Sequence, residues 1–64
     1  MNWKQPKTAP KDIFVLVRFG TKSGGNMGYE IAVLNKGVWF DRSGYRVDGC
    51  GFEVTGWVLL PPLD

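Results

Sequence analysis

Few side chains in this sequence are reactive, and each lacks the companion its chemistry needs. Cys50 is the one thiol, set between Gly49 and Gly51 on a turn-forming stretch. A nucleophilic cysteine is normally served by a histidine base, and the chain has no histidine. Cys50 therefore reads as a small residue in a tight turn. Asp41, Asp48 and Glu53 could in principle include an acid/base pair, yet each falls beside turn residues, where aspartate serves by bonding its own backbone. One thiol and no imidazole also leave no ordinary zinc cage. The residues imply neither enzyme nor bound metal nor cofactor.

Gly20-Thr21-Lys22-Ser23-Gly24-Gly25 has the ingredients of an anion cradle, glycine amides and a lysine. It lacks the Gly-x-x-x-x-Gly-Lys-Ser/Thr order, and no helix pattern follows to aim its amides at a phosphate. A hairpin connection explains the composition.

What remains is binding chemistry. An aromatic rimmed by charge suits a protein contact, where Trp, Tyr and Arg carry most of the energy. Trp39, Arg42, Tyr45 and Arg46, around the second and third turns, form the predicted partner-binding patch. The competing reading puts Trp39 in the core. Lysines beside exposed rings would instead suit single-stranded nucleic acid or a nucleotide, with phosphates neutralised while bases stack. Lys4, Lys7, Lys11 and Lys22 are the candidates for that role.

These residues need elements to hold them. Residues 1–12 contain Pro6 and Pro10 and predict an extended arm tied down by Trp3. Ile13 to Phe19 is β-branched and aromatic on both faces until Arg18, so it predicts a central strand covered on two sides. Gly20 to Gly28 is a loop. Tyr29 to Leu34 forms a second strand, with Tyr29, Ile31 and Val33 on one face and Glu30, Ala32 and Leu34 on the other. Gly37 allows a tight turn into Val38-Trp39-Phe40-Asp41, whose alternation sets Trp39 with Asp41 and against Phe40. Tyr45-Arg46-Val47 is a candidate short strand, and Phe52 to Leu60 the last one. Gly56 marks a bulge or a close backbone approach within it. Leu59 to Asp64, with Pro61 and Pro62, suits polyproline geometry. No stretch carries a sustained helical period. The fold class is all-β, a four- to five-stranded antiparallel curled sheet or half-open SH3-like barrel in one domain: arm 1–12, β core 13–60, tail 61–64.

Trp3, Pro6 and Thr8-Ala9-Pro10-Lys11-Asp12 at the start, Gly37-Val38-Trp39-Phe40-Asp41 in the middle, and Thr55-Gly56-Trp57 with Leu60-Pro61-Pro62 at the end carry a likeness over nearly the whole chain. The chain resembles a family of very small proteins of unknown function, frequent in bacteriophages and prophages. Ile13 stands where that family tends to have glycine, and Gly56 where it has histidine. The resemblance implies phage or prophage provenance and a β-rich fold, and no activity. A short phage gene without catalytic grouping suggests a protein that occupies a surface on a host protein, inhibiting a defence or information-processing complex. A nucleic-acid module and a virion structural or assembly protein are the alternatives.

Composition sets the outer bounds. Ordering 64 residues costs conformational entropy that apolar burial must offset. No intrachain disulfide can help a chain with one cysteine, so its nine aromatics (three Trp, two Tyr, four Phe) must be mostly inside, or a second copy must help. Monomer and homodimer both remain open, the latter by pairing of strand edges. The net charge of +2 is well short of a dedicated duplex binder's stripe. The longest apolar run, Ile13 to Val17, is too short for a membrane helix, which needs about 20 residues. The opening residues lack the apolar centre of a secretion signal, and a lone thiol suits a reducing compartment, so a cytoplasmic location is expected.

Overall fold

A computed structural model describes residues 2–25, 27–49 and 51–60. Four strands, β1 (Phe14–Thr21), β2 (Gly28–Asn35), β3 (Val38–Asp41) and β4 (Phe52–Val58), form one antiparallel sheet in the order β3-β2-β1-β4. The sheet is curled but unclosed. β1 is central, as its β-branched run predicts. Tyr45-Arg46-Val47 makes a single bridge, Phe40 to Arg46, in place of a fifth strand. Cys50 and the tail 61–64 lie outside the described residues.

Register decides which side chains meet. Val15 faces Ala32, Val17 faces Trp57 and Leu34 faces Trp39, so these six share one side of the sheet. This inner face is the core. Val15, Val17, Ala32, Trp39 and Trp57 are buried there, with Ala9, Leu34, Val47 and Val54 packed against them.

The arm forms the layer over that core. Lys4 and Trp57 exchange backbone hydrogen bonds of 2.9 and 3.1 Å, which add a short rung to the edge of β4. The chain then turns through a single 3-10 turn at Pro6–Thr8, where extended backbone was expected. There the Trp57 indole Nε1 donates to the Gln5 carbonyl at 3.0 Å and to Thr8 Oγ1 at 3.1 Å. A buried indole N–H has to find such a partner. At the far end the Asp12 amide donates to the Leu34 carbonyl, and Asn35 Nδ2 donates to Asp12 Oδ1. Asp12, at φ 63°, bends the chain into β1. Aspartate tolerates that region better than most residues because its short side chain bonds locally.

The outer face departs from expectation. Among the described residues β1 is covered on one side only, by the arm. Phe14, Leu16, Tyr29, Ile31, Val33, Val38 and Phe40 point outward by register, with Phe14 44% and Tyr29 65% exposed. Trp3 covers the β4 side alone. A Cβ on Gly56 would lie 3.0 Å from the Trp3 Cβ, and the Trp3 ring stacks on Tyr29 at 5.7 Å. The β1–β4 register slips between Arg18 and Phe19, which leaves Thr55 as the extra residue of a bulge, and Gly56 beside it marks the close approach. Trp3 and Trp57 hold the arm from opposite faces.

Candidate protein-binding site

The turn after β3 is built around Asp41. Its Oδ1 accepts from the amides of Ser43 at 2.8 Å and Tyr45 at 2.9 Å, and its carbonyl accepts from the Gly44 amide. Its own amide donates to the Tyr45 carbonyl at 2.8 Å. Gly44 sits at φ 87°, which a residue with a Cβ rarely adopts. One carboxylate thus closes the turn from both sides. Two residues on, the Val47 amide donates to the Trp39 carbonyl at 2.9 Å, and Arg46 Nε donates to Asp48 Oδ1 at 3.0 Å.

The result is a braced corner that presents Arg42, Tyr45 and Arg46 outward. Tyr45 is 73% exposed and the Arg46 side chain 58%. Structure thus brings together three of the four residues assigned to a partner patch, and removes the fourth. Trp39 is 4% exposed, on the inner face with Val15, Val17 and Ala32. Period-two alternation sends its indole inward with Ala32, so it offers a partner at the corner little surface. Its backbone, which holds Val47, positions the corner.

The four lysines assigned to nucleic acid are not gathered. Lys4, Lys7 and Lys11 follow the arm, whereas Lys22 lies beyond the other end of β1. Lys4 Nζ sits 5.3 Å from the centre of the Trp57 ring, which is buried. The exposed ring of Tyr29 and the half-buried ring of Trp3 lie on the outer face, opposite to Lys4. Lys4 is therefore separated from the rings of Tyr29 and Trp3 by the sheet.

In the glycine loop, four amides turn inward. Thr21 donates to the Gly25 carbonyl, Lys22 to the Gly51 carbonyl, Gly24 to the Thr21 carbonyl and Gly25 to Thr21 Oγ1. Those amides are spent on the loop itself and on Gly51, and cannot also cradle an anion. On the inner side an open groove of about 430 Å³ runs between Pro6 and Lys7 of the arm and Leu34, Trp39, Asp48 and Val54. It mixes an apolar floor with isolated charges of both signs. Among the described residues no three of Asp, Glu, Cys and His converge to hold a metal ion, and no helix is long and apolar enough to cross a membrane.

Sequence reasoning missed the open outer face. The signal was present, since Ile13 to Val17 is apolar on both faces and Tyr29 to Leu34 nearly so, more apolar surface than one arm covers. Comparison with known proteins adds no relative: no family model matches the chain, and neither a curated protein nor a solved structure does.

Proposed function

We propose that this chain is a non-catalytic binding protein of phage or prophage origin that engages a host protein through the corner formed by Arg42, Tyr45 and Arg46. One observation carries the site: an exposed tyrosine, flanked by two arginines, is held on a turn that Asp41 closes with hydrogen bonds of 2.8 and 2.9 Å. Ordering a loop on binding costs free energy, and a braced turn meets that cost in advance. Tyrosine supplies contact area with few rotatable bonds, and arginine supplies planar donors suited to carboxylates. The partner surface this corner fits is apolar with an acidic flank. The host and the phage provenance rest on the resemblance of the arm and closing motifs, and the inhibitory role on the same ground.

Capture from bacterial lysate with the intact chain, followed by binding measurements on the purified captured protein, tests the reading. Tyr45→Ala is expected to weaken binding by at least about tenfold, the scale of a hot-spot residue, with an unchanged folded spectrum. Binding indifferent to Tyr45→Ala and Arg42→Ala together would move the contact elsewhere. Retention of single-stranded DNA that falls steeply with salt, and disappears on replacing Lys4, Lys7, Lys11 and Lys22, would favour the nucleic-acid reading.

A further inference from the structure

We propose that the open outer face of the sheet is a two-fold contact with a second copy of this chain, packed face to face. The face adjoins the Tyr45 corner at Arg46, but the contact does not rest on that corner's role.

The argument begins with what the face lacks. Phe14, Leu16, Ile31, Val33 and Phe40 form a continuous apolar surface across β1, β2 and β3, bounded by Tyr29 and Trp3. Among the described residues no carboxylate stands within it: Glu30 and Asp41 alternate to the inner side by register. Of the cations on this side, Arg46 is paired with Asp48 at 3.0 Å at one margin. Arg18, at the other margin, bonds Thr55 Oγ1 through Nε and lies 5.2 Å from the Trp3 ring centre. A surface whose charges sit at its rim meets its own copy without burying like charges at the centre. A partner selected by charge would instead require a charged group among the apolar ones.

Area points the same way. At 44% and 65% exposure, and at roughly 200 Å² per aromatic side chain, Phe14 and Tyr29 leave about 200 Å² uncovered between them. The half-buried Leu16, Ile31, Val33, Val38 and Phe40 raise this to roughly 400 Å² per copy. Two copies would bury about 800 Å², the scale of a weak, reversible dimer. Aligned packing of two twisted sheets about 10 Å apart is the arrangement such faces adopt.

Edge pairing, the other route to a dimer, has little to use. The outer edge of β3 is taken by the bonds of Asp41 and Trp39 to Tyr45 and Val47, and that of β4 by the Lys4 rung. What remains of the β4 edge carries the charge of Glu53, which discourages strand addition.

Sedimentation equilibrium of the intact chain from about 5 to 500 μM is the experiment, with a midpoint expected in the range of roughly 10–100 μM for an interface of this size. The mass should rise from one copy to two. Phe14→Glu and, separately, Ile31→Lys should each weaken association by at least about tenfold, since either buries an unpaired charge in the contact. Because a variant can fail to fold, intermolecular NOEs on a mixture of isotopically labelled and unlabelled wild-type chains supply a second readout, expected among Phe14, Ile31 and Val33. A single-copy mass throughout the range would overturn the proposal. So would contacts to these residues arising within one chain from 61–64, or a dimer whose new amide protection falls on Glu53 and Thr55.

Discussion

Trp39 shows how little separates a contact residue from a core residue in the sequence: the same indole, one position along the strand, would face the other way. Its place opposite Leu34 and beside Ala32 makes it structural. Trp39→Ala is expected to lower stability by about 3–5 kcal/mol, read as a fall in the urea midpoint, because a packed indole leaves a cavity. For a chain this small that is most of its stability. Tyr45 is mostly exposed, so Tyr45→Ala should stay within about 0.5 kcal/mol of wild type. Equal effects of the two substitutions would contradict the assignment of core and corner. Gly56 is the second residue whose role is steric. Its missing Cβ leaves room for Trp3, whose backbone cannot retreat because Lys4 is fixed to Trp57 on both sides. Gly56→Ala should cost about 1–3 kcal/mol, as overpacking does, and shift tryptophan emission to the red as Trp3 leaves Tyr29. Unchanged emission would show that the arm can yield.

At the scale of elements, the β2–β3 hairpin and the arm differ in how locally they are specified. Lys36 and Gly37 both have positive φ, 51° and 79°, in a two-residue connection of the kind that favours Asn-Gly. Lysine gains nothing from that conformation. Lys36→Asn should therefore stabilise the chain by about 0.5–1 kcal/mol in chemical denaturation, and a loss would mean that the lysine side chain has a role of its own. Turn chemistry of this sort was legible in Asn35-Lys36-Gly37, as were the alternation of β2 and the break at Asp48-Gly49. The arm was not. Prolines announced that residues 1–12 avoid long helix, but nothing local says that Gln5 and Thr8 will meet the indole of Trp57 some 50 residues away. Removing residues 2–8 should leave that N–H without its two acceptors and the core without its lid, destabilising by several kcal/mol. A truncated chain with an unchanged melting temperature would reduce the arm to an accessory.

For the whole molecule, the problem is one of area. The described core holds six buried apolar residues, only two of them aromatic, so most of the nine aromatics are left partly or wholly in water. A single sheet with one covering strap cannot do better at this length. Packing of a second copy on the outer face would bring Phe14, Tyr29 and Phe40 out of water and present two Tyr45 corners on one particle, which increases avidity for a multivalent partner. On this account the melting temperature should rise with chain concentration, because folding is then linked to association. A melting temperature constant over about a hundredfold range of concentration would argue against that linkage.

By itself the sequence determined the four main strands, their turns and which side chains of β2 and β3 share a face. Those features follow from period-two alternation and from residues that tolerate or refuse particular backbone angles, all of them local. Only the tertiary structure decided which side of the sheet the arm would cover, that Trp39 lies beneath it, and that Arg42, Tyr45 and Arg46 share one corner apart from the lysines. These depend on pairings between distant segments, and a sheet that is apolar on both faces gives no local signal of which face the arm will take.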